Sequence, residues 1–245
     1  MSFRNIRQSN CIFDFYKSLN IAFLMNDFYN QPKLLQWIEA LLLLVLGFLP
    51  ALSIIQLGYE QALFYLLFIP YTPISQFTCT PFFRLSGIYT YYSPMLLGYM
   101  VNNNQIDMHS GTSFDYLFVM RKFKKGTEFK NRLLMYHLEG LLNIIQGLEN
   151  KETPLSVSIV GTSYFFNERT IQKLGFETKI PSLFYRINLL ANFIDLFWMY
   201  SLAQGKLSVP KVWSAKKASI SGAGLLENKT RILELYNKLN KKMTA

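Results

Sequence analysis

The longest apolar stretch of the chain, residues 34–77, predicts two membrane-spanning helices that form a hairpin. Residues 34–57 carry a single charge, that of Glu39, and a helix needs about 20 mostly apolar residues to cross a bilayer. Residues 61–77 carry no charge, and only residues 58–60 separate the two segments. Two helices buried in a soluble core are the alternative, which we consider weaker because the stretch has no polar face for contact with water.

The segment before the hairpin, residues 1–33, repeats apolar side chains at helical spacing: Ile12, Tyr16, Leu19 and Phe23. This pattern predicts an amphipathic helix, which lies either in the membrane interface or against the later domain. Pro32 would end this helix before the hairpin begins.

After residue 77, short runs of β-branched and aromatic residues replace the leucine runs and predict strands. These runs are residues 87–92, 95–101, 106–109, 114–120 and 155–160. Apolar periodicity predicts helices over residues 127–148, 167–174 and 184–204. We therefore predict an α/β domain over residues 78–204, a mixed sheet with flanking helices, preceded by the membrane hairpin. Residues 205–245 are predicted to form a basic tail that ends in a helix over residues 225–242.

The net charge of +10 is unevenly distributed along the chain. Residues 1–120 carry five Lys or Arg against six acids, whereas residues 121–245 carry twenty against nine. Positive charge next to membrane segments favours the cytoplasmic side, so we expect an integral membrane protein with its soluble domain there. The basic half would attract anionic lipid or an anionic substrate. Nucleic acid is not expected as a partner because lipid is nearer, and the sequence leaves a protein partner undetermined.

The residue types available limit the chemistry. The chain has two cysteines and two histidines without the spacing of a metal site. It also lacks a Walker-type loop, a dinucleotide-binding glycine pattern and a nucleophile elbow. We therefore predict no metal site and no tightly bound cofactor.

The densest polar cluster of the apolar half lies between residues 107 and 115. We take Asp107, His109 and Asp115 as candidates for acid–base catalysis close to the membrane surface. A hydrogen-bonded turn that holds strands together is the alternative, and we consider it stronger. Glycerolipid acyltransferases carry His-x4-Asp, but five residues separate His109 from Asp115. His137 lies on the apolar side of its predicted helix, and we interpret it as a core histidine.

The order strand 114–120, basic turn 121–126, helix 127–148, strand 155–160, helix 167–174 resembles the second half of the GNAT superfamily of N-acyltransferases. In that family, the backbone amides of an Arg/Gln-x-x-Gly-x-Gly/Ala turn hold the pyrophosphate of acyl-CoA at a helix N-terminus. This chain has Arg121 and Gly126 at the ends of the turn and Lys124 at the first glycine position. The resemblance implies these residues for cofactor binding: Arg121, Lys124, Lys125, Gly126, Thr127 and Asn167.

The second part of the resemblance is the segment from Asn167 to Glu177, which is similar to the closing signature of the family. In that signature an Asn contacts the cofactor arm and a helix ends in Lys-x-Gly-Phe, here Lys173 to Phe176. The tyrosine that often serves as general acid in the family falls on Ile171. Only residues 87–190 can be compared with the family.

We therefore expect a membrane-anchored acyltransferase, which moves an acyl group from an acyl-CoA or acyl-carrier donor to a membrane-near acceptor. Acyl-CoA is the expected co-substrate, and membrane lipid and the acyl donor are the expected partners. The alternative is a non-catalytic membrane protein whose basic domain binds anionic lipid or a protein partner. A subunit of a larger membrane complex is the third hypothesis.

Overall fold

A computed structural model describes residues 28–99, 101–102, 104–162 and 168–244 of the chain. Most of the predicted amphipathic helix within residues 1–33 lies outside the described residues, as does Asn167.

The apolar stretch forms two long helical segments that lie side by side. Helix α1 is Lys33–Glu60, and a 3-10 helix, Ala62–Leu67, leads into helix α2, Phe68–Leu85. The turn falls at Gln61, slightly later than the predicted residues 58–60. Lys33–Glu60 and Ala62–Leu85 are each long and apolar enough to cross a membrane. The two predicted apolar helices are thus confirmed, and the second continues beyond residue 77.

Close packing joins α1 to α2. A Cβ atom at Gly47 would overlap the side chain of Thr78, so only glycine lets the helices approach this closely. The hydroxyl of Tyr71 also donates a hydrogen bond to the carbonyl oxygen of Gly47. The outer faces are apolar and exposed, as at Leu42 and Leu52, each 59% exposed.

Six strands in the described residues form one mixed sheet in the order β1-β2-β3-β4-β6-β5. The strands are β1 Tyr89–Ser93, β2 Leu96–Tyr99, β3 Gln105–Ser110, β4 Ser158–Thr162, β5 Glu177–Lys179 and β6 Lys217–Ser221. Strands β3 and β4 are parallel, and the other neighbours are antiparallel. The predicted α/β class with a mixed sheet is therefore confirmed.

The carboxyl end of the parallel pair lies at Met108 of β3 and Gly161 of β4, the last residues paired in the described part of the chain. His109 and Ser110 continue β3 and pair with β2. The carboxyl ends of parallel strands form the edge where open α/β sheets bind ligands.

The remaining described helices follow the sheet in chain order. They are α3 Ser113–Asp115 with a π-helical turn Tyr116–Met120, α4 Thr127–Glu149, α5 Glu168–Lys173, α6 Leu183–Ala191, α7 Phe193–Gln204, a 3-10 turn Val212–Ser214, α8 Gly222–Glu227 and α9 Lys229–Thr244. The predicted helices 127–148 and 167–174 are confirmed within two residues. The predicted helix 184–204 is divided at Asn192 into α6 and α7.

One strand prediction is wrong. Residues 114–120 are helical because Thr112 and Asp115 form a reciprocal capping box that begins a helix at Ser113. Most apolar residues of this stretch are buried, including Phe114, Tyr116 and Met120, whereas Leu117 is exposed. Full burial of a short apolar run cannot distinguish a strand from a helix by periodicity. The strand that precedes the basic turn is instead β3.

The main core lies between one face of the sheet and helices α4, α5, α8 and α9. Ile106, Ile159 and Ile220 form one row of this face across β3, β4 and β6. A second core cluster joins the π-helical turn and the start of α4 to α6, α7 and residues 212–215. Strand β6 lies between β4 and β5, so residues 205–245, predicted as a tail, contribute a strand to the sheet.

Candidate functional site

A cavity of about 90 Å³ lies beside the carboxyl end of the parallel pair β3 and β4. From α4 and α5 it is lined by Leu134, His137, Leu138, Leu141, Thr170, Ile171 and Leu174. From the sheet it is lined by Leu96, Met108, His109, Ser110, Gly161 and Ala218. Its wall is apolar apart from a few polar groups, which is typical of a ligand site.

Ser110 and His137 form a hydrogen-bonded pair in the wall of this cavity. The hydroxyl oxygen of Ser110 lies 3.0 Å from Nε2 of His137. The Nδ1 atom of the same ring lies 2.8 Å from the carbonyl oxygen of Leu133, one turn earlier in α4. A carbonyl oxygen can only accept a hydrogen bond, so Nδ1 carries the proton and Nε2 accepts from the Ser110 hydroxyl.

The surroundings of His137 keep its ring neutral. Burial lowers its pKa to about 4, although the backbone carbonyl of Leu133 opposes this shift. A neutral imidazole at pH 7 has a lone pair on Nε2, directed at the serine hydroxyl. A serine, a histidine that accepts its proton and a third group that orients the histidine make up the arrangement of an activated nucleophile.

The predicted pair Asp107 and His109 lies on the same strand as Ser110, β3. Nε2 of His109 is 3.5 Å from Oδ1 of Asp107, and both side chains are partly exposed. Successive residues of a strand point to opposite faces of the sheet. The Asp107–His109 pair is therefore on the opposite face from Ser110 and the ring of His137.

The side chain of Asp115, a predicted candidate for acid–base catalysis, is engaged in hydrogen bonds within the fold. Its side chain is completely buried. Oδ1 accepts a hydrogen bond from the hydroxyl of Tyr29 at 2.7 Å, and Oδ2 accepts one from the hydroxyl of Tyr91 at 2.8 Å. The backbone amide of Thr112 donates to Oδ2 at 2.8 Å. Asp115 thus holds a turn together, as the structural alternative predicted.

Electrostatics around Asp115 involve the end of the hairpin. Burial raises the pKa of Asp115, while its hydrogen bonds and the charge of Arg84 oppose the shift. The guanidinium of Arg84 lies 4.1 Å from the ring centre of Tyr29 and 4.2 Å from that of Tyr91. Arg84 belongs to the last turn of α2 and Tyr29 precedes α1, so this cluster fastens both ends of the hairpin to the sheet.

The basic turn 121–126 does not present its glycine amide to a ligand. The amide of Gly126 donates a hydrogen bond to the carbonyl oxygen of Leu202 in α7 at 3.0 Å. Gly126 has a φ of 92°, a conformation that favours glycine. The role in acyl-CoA binding that the resemblance implies for Gly126 stays a prediction. Lys124, Lys125 and Thr127 are exposed.

The side chains of Lys122 and Arg132, in and after this turn, both point toward Phe123. The Nζ atom of Lys122 and the Nε atom of Arg132 are buried, and neither has a hydrogen-bond partner in the described part of the chain. Both charged groups lie over the ring of Phe123, at 5.2 Å and 4.7 Å from its centre. Burial lowers the pKa of Lys122, and the charge of Arg132 lowers it further. The sequence pattern does not mark this pair, although Lys122 belongs to the predicted basic turn 121–126.

Sequence reasoning named neither Ser110 nor His137 as catalytic. Ser110 was part of the polar cluster, and His137 was interpreted as a core residue. The available signal was one histidine on the apolar side of α4, but its partner lies 27 residues away and is brought close only by the β3–α4 packing. No protein-family model, no curated protein and no solved structure matches this chain.

Proposed function

We propose that this protein is a membrane-anchored acyltransferase, in which Ser110 and His137 carry the acyl-transfer step. The observation that carries the proposal is the hydrogen bond from Ser110 to neutral His137 in an apolar cavity. The cavity lies beside the carboxyl end of the parallel pair β3 and β4. The donor is an acyl-CoA or acyl-carrier thioester, and the acceptor is membrane-near.

The chemistry follows from the roles of the two side chains. The Oγ atom of Ser110 attacks the acyl carbon while Nε2 of His137 accepts the hydroxyl proton. The C–S bond of the thioester then breaks, and the leaving thiolate takes the proton from His137. The acyl group passes from Ser110 to the acceptor, whose own proton restores the serine hydroxyl. Proton transfer by a placed side chain contributes roughly 10²–10⁴ in rate.

Lys122 and Arg132 support a phosphate-bearing donor. The Nζ atom of Lys122 and the Nε atom of Arg132 have no hydrogen-bond partner in the described residues, and an anionic ligand would supply one. Arg132 precedes His137 by five residues on α4, or about 7.5 Å along the helix axis. The proposal moves the phosphate contacts from the exposed Lys124 and Lys125 to this inward-facing pair.

Element order also supports the acyltransferase hypothesis. Strand β3, the basic turn, α4, β4 and α5 occur in the chain order that the resemblance to the N-acyltransferases implies, with the helical residues 113–120 between β3 and the turn. The hairpin would place this site at the membrane, and the excess of Lys and Arg after residue 120 favours the cytoplasmic side.

Thiol release from acetyl-, octanoyl- and palmitoyl-CoA by the full chain in lipid-containing detergent tests the proposal. Ser110→Ala and His137→Asn should each reduce release by about 10² or more, because they remove the nucleophile and its base. Ser86→Ala, at an exposed serine at the end of α2, should leave the rate unchanged. Undiminished release by Ser110→Ala would refute the role of this serine.

Donor binding is tested separately by thermal unfolding with coenzyme A. A ligand at 100 times its Kd stabilises a protein by about 2.7 kcal/mol. The double variant Lys122→Gln/Arg132→Gln should lose this stabilisation, whereas the matched double variant Lys124→Gln/Lys125→Gln should keep it. The reverse result would return the phosphate site to the exposed lysines.

A second function has one observation in its favour. Both ring nitrogens of His137 have hydrogen-bond partners, which is also the arrangement of a structural histidine. In that case the protein is a non-catalytic membrane protein whose basic domain binds anionic lipid or a protein partner. Absence of thiol release from all three donors, together with no stabilisation by coenzyme A, would favour this function.

A further inference from the structure

Helix α6 has an apolar face that nothing covers in the described part of the chain. This face consists of Leu183, Ile187 and Leu190, and Ile180 before the helix and Ile194 in α7 are exposed as well. Leu183 is 74% exposed and Ile187 is 54% exposed. On its other side, α6 buries Leu189 in the second core cluster. A short helix that is apolar on both sides is not suited to contact with water on either of them.

The loop after α7 extends this exposed apolar surface. The 3-10 turn Val212–Ser214 packs against α6. Leu207, Val209 and Trp213 are exposed, with Leu207 at 85%. Lys206 and Lys211 alternate with them and are also exposed. Tryptophan and lysine among aliphatic side chains are typical of segments that lie at a membrane–water interface.

The hairpin fixes the position of this surface. The side-chain amide of Gln76 in α2 donates a hydrogen bond to the side chain of Asn192, between α6 and α7. Gln76 follows the hairpin turn at Gln61 by 15 residues, a distance of about 22 Å along a helix. The hydrocarbon core of a bilayer is about 30 Å thick. If the hairpin crosses the bilayer with its turn at the far-side boundary, the junction of α6 and α7 lies within about 8 Å of the near-side boundary.

We propose that the outer face of α6 and the loop 205–214 form a second membrane contact, called here the interfacial patch. Its apolar side chains enter the near-side interface, and Lys206 and Lys211 contact anionic headgroups. This inference rests on the proposed insertion of the hairpin but not on acyl transfer. The bilayer is the occupant because the patch is continuous with the membrane helix α2 and carries charge complementary to anionic lipid.

The patch has a consequence for the site. Helix α7 shares the second core cluster with α4, and the carbonyl of Leu202 holds the amide of Gly126 at the start of α4. Contact of α6 and α7 with lipid would therefore hold the α4 end of the domain against the bilayer. A lipid-borne acceptor would then approach from the membrane without leaving it.

The test places one fluorescent label at a time on the full chain, in a Cys11→Ser/Cys79→Ser background. NBD is attached at Ile187→Cys in the patch, at Leu46→Cys in the hairpin and at Lys238→Cys on the exposed side of α9. Each protein is reconstituted into phosphatidylcholine vesicles with 30% phosphatidylglycerol, with and without a doxyl-labelled lipid. We expect the labels at residues 187 and 46 to lose at least half of their emission to the quencher and the label at 238 to be unaffected.

Three results would overturn the inference, and they are distinguishable. If the label at 46 is quenched and the label at 187 is not, the patch does not contact lipid although the hairpin is inserted. If neither is quenched, hairpin insertion itself is wrong. If the label at 187 is protected from the quencher but Ile187→Cys crosslinks two copies, the occupant is a second chain.

A separate variant tests the role of charge. A label at Val209→Cys should be quenched at least twice as strongly when phosphatidylglycerol is added to phosphatidylcholine vesicles. Lys206→Gln/Lys211→Gln should remove this increase, and Lys238→Gln should not. An increase that survives the double substitution would refute the contact of these lysines with anionic headgroups.

Discussion

The hydroxyl of Ser110 lies 3.0 Å from Nε2 of His137, and the ring of His137 is held in one tautomer by the carbonyl of Leu133. Ser110 ends strand β3 and His137 lies in the middle of α4. The hydrogen bond therefore joins the sheet to its crossover helix at the wall of the cavity. Both the stability of the fold and the proposed acyl transfer therefore depend on whether the ring of His137 is neutral.

The first prediction concerns this protonation. The pKa of His137 is about 4 in the folded protein, below its ordinary value of 6.5. Because the unfolded chain binds this proton first, the contribution of neutral His137 to stability is complete above pH 6.5 and is lost as pH falls towards 4. The loss should be about 2–3 kcal/mol in the free energy of unfolding, followed by urea denaturation in detergent.

A substitution isolates this effect from other titrating groups. His137→Asn keeps a donor near the carbonyl of Leu133 but does not titrate. It should flatten the change in the free energy of unfolding between pH 6.5 and 4 relative to the parent protein. An unchanged slope in His137→Asn would assign the pH dependence to other residues.

The second prediction concerns the buried carboxylate of Asp115. Asp115→Asn replaces one acceptor oxygen by an NH2 group, which can only donate. In one orientation of the amide this group faces the hydroxyl of Tyr29, and in the other it faces the donors of Tyr91 and Thr112. Leaving a buried polar group unsatisfied should reduce the free energy of unfolding by about 2–3 kcal/mol. The measurement is urea denaturation at pH 7.

Asp107→Asn is the control, because the Asp107 side chain is partly exposed and accepts no hydrogen bond at its Oδ1 atom in the described residues. It should change the free energy of unfolding by less than about 0.5 kcal/mol. Equal effects of the two substitutions would mean that the hydrogen bonds of Asp115 do not fasten the hairpin to the sheet.

The third prediction compares two glycines at the ends of α4. Gly126 has a φ of 92°, so Gly126→Ala should destabilise the protein by about 1–3 kcal/mol. Gly147 lies inside the helix, and a Cβ there meets only ordinary contacts with Thr153 and Glu152. Gly147→Ala should therefore stabilise the protein by about 1 kcal/mol through helix propensity. Opposite shifts of the thermal midpoint are the expected result.

The fourth prediction concerns the hairpin. Tyr59, next to the turn, is 83% exposed, whereas α9 belongs to the domain at the other end of the hairpin. In sealed vesicles, a membrane-impermeant maleimide should label Tyr59→Cys and Lys238→Cys from opposite sides. Labelling of both from the same side would show that the hairpin does not cross the bilayer.

Local patterns in the sequence were sufficient for the elements whose signal is periodic or continuous. The apolar stretch predicted the two long helices, and the apolar periodicity of residues 127–148 predicted α4. The alternating runs around Tyr91, Leu97 and Asp107 predicted strands that are present. Each of these features depends on neighbours within a few positions, so a single sequence contains the information.

The sequence was misleading where the partner of a residue is distant. Residues 114–120 have the composition of a strand, but Thr112 caps them as a helix and the core surrounds them. Strand β6, Lys217–Ser221, is short and carries lysine, yet it is central because β4 and β5 supply its hydrogen bonds. Asp115 was predicted as a catalytic candidate, and in the structure its carboxylate accepts a hydrogen bond from Tyr29, which is 86 residues away.

The sequence by itself therefore determined that this protein has two helices apolar enough for a membrane and a basic α/β domain. Only the tertiary structure decided which polar residues face a cavity and which hold the fold together. The physical reason is that hydrophobic periodicity is written in consecutive residues, whereas a hydrogen bond such as that of Ser110 with His137 forms only after strand and helix have packed.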